Sequence, residues 1–198
     1  MIRTSAIAAF GLAAAAFALP AAAQMSANNF YLGASIGQSS AKDFCDGTGG
    51  SGISCDDKDT AWRLFGGYQF NPNIAVELGY SDLGKAKASG GGAEISDEAT
   101  AWDLTAVGSW PLANQFSIYG RFGFYHSEVT SKASISGFGS ASEDKSTTDI
   151  TFGIGARFDI NRNLGIRGEW QRYNDMKDAF DTKSNVDVFS IGVLYRFQ

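Results

Sequence analysis

Five arginines (Arg63, Arg121, Arg157, Arg167 and Arg196) and four acids (Glu77, Asp103, Asp159 and Glu169) fall at alternate positions of strand-like segments, always on the same side. Guanidinium and carboxylate groups in such balance pair by charge-assisted, often bidentate, hydrogen bonds. Buried charges are tolerable only when they are paired in this way. The set therefore suits a small enclosed polar interior. Its expected centre is Glu77, Arg167, Arg121, Glu169 and Arg157, with Arg63, Asp103, Asp159 and Arg196 around it. The competing reading leaves the same residues as solvated charges on a soluble sandwich or a lipocalin-like barrel.

Two other chemistries were weighed against the residues. A barrel-borne lipid acyltransferase, deacylase or protease needs a Ser or Asp nucleophile system with a His base. The single histidine, His126, falls on the apolar side of its segment. Its neighbours Ser127, Glu128 and Ser131 are ordinary loop composition, so His126 reads as an interfacial residue and no catalytic residue or enzyme activity is expected. Cys45 and Cys55 share a Gly-, Asp- and Ser-rich stretch. A local disulfide is the simple reading in an exported chain, worth up to about 3 kcal/mol in chain-entropy models. Metal binding with Asp43, Asp46, Asp56, Asp57 and Asp59 is its rival, but no repeated ligand spacing supports it. No phosphate loop, HExxH or paired CxxC occurs, so neither cofactor nor metal is expected.

The elements that would position the charges begin after residue 23. Arg3, the apolar run 6–19, Pro20 and the small residues Ala21, Ala22 and Ala23 read as a signal peptide over 1–23, cleaved after Ala23. The remaining 24–198 is one domain's worth of chain. Without Arg3 the 16 basic residues fall by one against 21 acidic, a net charge of −6. An acidic chain with no basic cluster argues against nucleic acid. No later run of 18 apolar residues exists, so no transmembrane helix is expected.

Eight period-two segments follow: 30–38, 60–70, 74–84, 99–110, 115–127, 148–160, 164–174 and 186–197. Strand side chains alternate between two faces. In the last segment Phe189, Ile191, Val193, Tyr195 and Phe197 share one face, and Ser190, Gly192 and Arg196 share the other with Leu194. Short turn-rich connections (71–73, 111–114, 161–163) alternate with long polar ones around 39–59, 85–98, 128–147 and 175–185. All eight lysines (Lys42, Lys58, Lys85, Lys87, Lys132, Lys145, Lys177 and Lys183) lie in the long ones.

The polar face is too rich in glycine for an ordinary surface. The apolar face carries aromatics near both ends. Phe30, Phe70, Trp110, Phe116, Phe158 and Phe197 mark the short-turn end. Trp62, Tyr80, Trp102, Phe124, Phe152, Trp170 and Phe189 mark the long-loop end. Two aromatic girdles around an aliphatic band describe lipid outside. Hydrocarbon leaves no water for open sheet edges, so the sheet must close. The predicted fold is all-β: an eight-stranded antiparallel up-and-down transmembrane barrel.

The segments Phe30-Tyr31-Leu32-Gly33-Ala34, Phe65-Gly66-Gly67-Tyr68-Gln69-Phe70-Asn71-Pro72 and Val76-Glu77-Leu78-Gly79-Tyr80 resemble the OmpA-type transmembrane domain. So do Ile118-Tyr119-Gly120-Arg121, Arg167-Gly168-Glu169-Trp170-Gln171 and Gly192-Val193-Leu194-Tyr195-Arg196-Phe197. The resemblance implies a barrel in the outer membrane of a Gram-negative bacterium whose interior ion pairs block the water path. Glu77 and Arg167 match the family's central acid and its arginine partner. Val107 stands where the family pattern has a lysine, and Arg157 where it has an acid, so a switch between alternative partners is not implied. The sequence as given stops with the barrel, and a cell-wall anchoring role is not carried over. Gln198 follows the phenylalanine that usually ends the strand read by the barrel-assembly machinery.

Eight strands enclose room for side chains rather than a wide channel. The expected role is structural and surface-facing: a plugged barrel, probing outward with long loops and acting as a monomer in outer-membrane lipid and lipopolysaccharide. A small porin-like channel and an adhesin whose loops meet a host or phage ligand are the alternatives. Ordinary solvated charge is the simpler account of the loop lysines than contact with lipopolysaccharide phosphates.

Overall fold

The computed structural model describes residues 29–41, 54–56, 58–90, 93–135, 139–177 and 183–197. The expected signal segment 1–23, Lys42 and Cys45 lie outside them, and the expected disulfide with them. The described strands are β1 (Phe30–Ala41), β2 (Ser54–Asp56), β3 (Lys58–Asn71), β4 (Ile74–Gly90), β5 (Ala93–Pro111), β6 (Phe116–Ile135), β7 (Gly139–Asp159), β8 (Leu164–Lys177) and β9 (Lys183–Arg196). All except the three-residue β2 make a closed antiparallel barrel. Each pairs with its chain neighbours, and β1 meets β9 from Tyr31↔Arg196 to Ala41↔Val186. The seam removes the two edges that an open sheet would present to lipid.

The alternation in sequence becomes an inside and an outside. Along β4, Ala75, Glu77 and Ser81 are buried while Ile74 and Leu78 are exposed. Along β9, Leu194 is buried between exposed Val193 and Tyr195. The ring of exposed Leu, Ile, Val, Phe and Trp side chains is the reverse of a water-soluble barrel.

Two of the short turns use one device. Asn71 Oδ1 accepts hydrogen bonds from the N–H of Asn73 and of Ile74, both at 2.9 Å. Asn161 Oδ1 likewise accepts from Asn163 (2.9 Å) and Leu164 (2.8 Å). These are Asx turns, in which a side-chain carbonyl takes the place of a backbone one. The second asparagine then ties in a third strand: Asn73 Nδ2 donates to the Ser109 carbonyl and Asn163 Nδ2 to the Arg196 carbonyl, both at 2.9 Å.

The other end corrects the expected loop boundaries. Much of 85–98 and 128–147 is strand. The β4–β5 ladder runs on to Gly90↔Ala93, and the β6–β7 ladder to Ile135↔Gly139. β5, β6 and β7 are 19, 20 and 21 residues long, about twice what a tilted strand needs to cross a bilayer. Neighbouring ladders stop earlier: β3–β4 pairing begins at Trp62↔Asp82 and β7–β8 pairing at Thr151↔Tyr173. Hence β4 to β7 continue together as a four-stranded ribbon, with β2 laid against β4. Both faces of a projecting ribbon can meet water, so its residues carry no apolar period for a sequence reading to find. A bulge between Asp82 and Lys85 opens it, where Gly84 adopts φ +79°. A Cβ there would also come within 2.7 Å of the Asp59 side chain.

Candidate functional site

The lumen is filled in layers. At its centre, β3, β4, β5, β6 and β8 each aim charged side chains inward. Glu77 on β4 accepts hydrogen bonds at Oε1 from Arg167 Nη1 (2.8 Å) and the Tyr31 hydroxyl (2.9 Å). Its Oε2 lies 3.4 Å from Arg63 Nη1 and 3.5 Å from Arg121 Nη2. Arg63 grips Asp103 with two bonds, Nε to Oδ2 at 3.0 Å and Nη2 to Oδ1 at 2.7 Å. Arg121 donates to Asp103 and Thr105 through Nη2 and to Glu169 through Nη1, each at 2.8 Å. Tyr119 caps Glu169 at 2.7 Å. Three guanidiniums thus meet three carboxylates, and the layer is neutral. All six residues are at most 7% exposed. Shared partners make it a network, in which no charge relies on a single contact.

Below it, toward the short turns, lies an apolar layer of Tyr31, Phe65, Ala75, Val107, Tyr119 and Leu194. The Arg167 guanidinium stacks over the Phe65 ring, 3.6 Å from its centroid. Above it, Tyr173 bonds Ser81 at 3.0 Å and meets Tyr125 edge to face. Leu83, Val129, Met176, Val186 and Val188 complete an aliphatic layer around this tyrosine pair. Two cavities flanking the charged layer hold about 10 Å³ each. That is at most one water molecule apiece, not a file of them.

Arg157, expected within the central set, stands elsewhere. With Asp159 and Arg196 it lines a vestibule of about 520 Å³ at the short-turn mouth. Asp159 Oδ1 is 2.7 Å from Arg196 Nη2 and 3.4 Å from Arg157 Nε. The ion pair of Arg157 is with Asp159 and not with Glu77, although its side chain also lines the small cavity that Glu77 and Arg167 share.

The girdle residues all lie on the outer face. Phe30, Phe70, Trp110, Phe116, Phe158 and Phe197 are exposed at the short-turn end. At the other end Trp62, Trp102, Phe124 and Phe189 are exposed, and Tyr80, Phe152 and Trp170 are half-exposed between them. Tyr80 packs against both Trp62 and Trp102, and Phe152 against Trp170. His126 sits beside Trp102 in the ladder, exposed, with Nδ1 at 2.8 Å from the Thr148 hydroxyl. Among the described residues, its hydrogen-bond partner is Thr148 and not a serine or a carboxylate. Among the described residues, no group of three or more His, Cys, Asp or Glu is placed to hold a metal ion.

Sequence reasoning missed the pairing of Arg172 with Asp187. Arg172 grips Asp187 at 2.6 and 2.8 Å next to Trp170 on the outer rim. Both residues fall outside the interior parity, so a search along one face passes over them. It also left unassigned Tyr31 and Tyr119, whose hydroxyls donate to Glu77 and Glu169, and the Tyr125–Tyr173 pair above them.

The description of the OmpA-like transmembrane domain matches residues 25–198. Outer membrane protein A of Shigella flexneri is 30% identical over 193 residues, which is 96% of this chain and 54% of that protein. The chain therefore spans about half the length of that relative. The N-terminal β-barrel domain of Pseudomonas aeruginosa OprF superposes with a TM-score of 0.55 at 12% identity, covering 86% of this chain and 98% of that one. Ail, the attachment invasion locus protein of Yersinia pestis, in complex with the heparin analogue sucrose octasulfate, gives 0.51 at 20% identity over 85% and 99% of the two chains. At these identities the likeness to the solved structures is one of fold.

Proposed function

Because the chain belongs to the OmpA-like transmembrane domain family and is an integral barrel of the Gram-negative outer membrane, we propose that it serves as a sealed scaffold displaying an extracellular β-ribbon. In such barrels the short turns face the periplasm. The observation that carries the reading is the neutral layer of Arg63, Arg121, Arg167, Glu77, Asp103 and Glu169, backed by Phe65, Val107 and Leu194. An ion would have to strip its hydration and displace a charge-balanced, closely paired layer to pass. Single-channel recording in planar bilayers tests it: the wild type gives no large steady current, whereas Glu77→Ala admits measurable conductance. Large steady currents through the wild type end the plugged reading.

The role is non-enzymatic in this reading, since His126 is spent on Thr148 at the lipid-facing rim. The barrel works as a monomer, and β9 carries the signal that the assembly machinery reads. A second reading is supported by the height of the ribbon: its tip recognises a host or phage partner. Ail, of the same fold, is seen with a sulfated sugar. Lys85 of this chain, by contrast, is matched by Glu98 at 3.2 Å, so the ribbon is not simply cationic. Binding of ribbon-shortened variants to host cells separates recognition from scaffolding.

A further inference from the structure

We propose that the periplasmic vestibule is a binding site for a phosphate group, held by Arg157, Ser117 and Arg196. The first observation is charge. The deep layer matches arginines and acids one to one, but the mouth sets two arginines against Asp159, the one acid among the described residues of the vestibule lining. Asp159 spends its short contact on Arg196 and leaves Arg157 at 3.4 Å.

The second observation is an unfilled pair of donors. Arg157 Nε is buried with no hydrogen-bond partner, and so is Ser117 Oγ. Ser117 is only 5% exposed. The two residues are direct cross-strand partners in the β6–β7 ladder, so their side chains stand side by side on the lumen face. Both line the vestibule, together with the neutral Gln69 and Ser109. A buried donor without an acceptor costs free energy; an oxyanion in the vestibule would relieve it by drawing the partly exposed Arg157 side chain out from beside Ser117 to meet it.

The third observation is shape. The vestibule is open to the periplasm, and Tyr31 and Tyr119 stand in the layer above it. An anion can enter from one side and find charge, donors and a floor. The phosphate can belong to a free ion or to the headgroup of an inner-leaflet phospholipid leaning into the mouth.

The test follows the Arg157 Nε–H resonance of ¹⁵N-labelled protein in maltoside micelles, assigned by its loss in Arg157→Gln. One arm adds inorganic phosphate, and the other adds short-chain phosphatidylglycerol without free phosphate. A saturable shift in the first arm assigns a free anion, and one confined to the second assigns a headgroup. Read by ³¹P line broadening of the added phosphate or lipid, which needs no arginine resonance, Arg157→Gln weakens binding about tenfold, as the loss of one charge-assisted hydrogen bond should. Ser117→Asp supplies the missing anion from within and abolishes binding, while heat-modifiable migration shows the barrel intact. If neither arm moves the wild-type resonance, or if both variants bind phosphate as the wild type does, the site does not exist.

Discussion

Arg63 reaches Asp103 across an intervening strand, and it does so over Gly79. Asp103 and Gly79 are ladder partners between β5 and β4, while Arg63 lies on β3. A Cβ at position 79 would stand 2.3 Å from Arg63 Nη2 and 2.5 Å from its Nε, the two atoms that grip Asp103. The absence of a side chain on β4 is what lets the ionic layer span three strands.

Gly79→Ala therefore pushes the Arg63 guanidinium off Asp103 and leaves two buried charges poorly paired. Breaking such a pair costs about 3–5 kcal/mol when one partner is lost outright. The expected result is a clear fall in the urea midpoint of unfolding from lipid vesicles. Gly108→Ala and Gly168→Ala are the controls, since a Cβ at either meets nothing within 4 Å. Equal midpoints for all three variants refute the relationship.

Phe65 is the largest apolar member of the floor beneath the charges, and the Arg167 guanidinium rests on it. Phe65→Ala removes that support and opens a void beneath the charged layer. A core deletion of this size costs about 3–5 kcal/mol. Bilayer recordings should show short openings in Phe65→Ala that the wild type lacks, and Phe65→Leu should restore silence.

The paired asparagine turns predict a local effect. Asn71→Ala and Asn161→Ala each remove an acceptor of two backbone N–H groups. At about 1 kcal/mol per bond, each variant loses on the order of 2 kcal/mol. Asn71→Asp keeps the acceptor and should stay near wild type. Chemical denaturation compares the three directly.

The outer face predicts dependence on depth. Leu78 lies between the girdles and Trp110 within one of them, both exposed. Leu78→Arg should cost about 2–4 kcal/mol in a bilayer and Trp110→Arg only about 0–1. A spin probe dissolved in the acyl chains reaches a nitroxide at Leu78 or Val193 and not one at Arg167. The opposite pattern means that the faces are reversed.

The parity of side chains was legible in the sequence because burial imposes a period of two where lipid meets one face. Glu77, Arg63, Asp103, Arg121, Arg167 and Glu169 thus fall on one side by sequence parity alone. Parity does not report height along the strand, and so Arg157 was grouped with a layer it does not reach. Height is fixed by strand tilt and stagger between neighbours. The ribbon was illegible for a different reason. Ser, Lys, Asp and Gly are loop formers in isolation, but in 85–98 and 128–147 they are held as strand by ladders propagated from the barrel below. Arg172 and Asp187 pair outside the interior face and obey neither signal.

The seam between β1 and β9 has a consequence for how the molecule is made. The first stave of the cylinder finds its second neighbour only in the last one, from Tyr31↔Arg196 onward. Until that far stave has left the ribosome, β1 lacks its second partner and the wall keeps a gap. Synthesis in the usual direction therefore delivers the piece that shuts the cylinder after all the others.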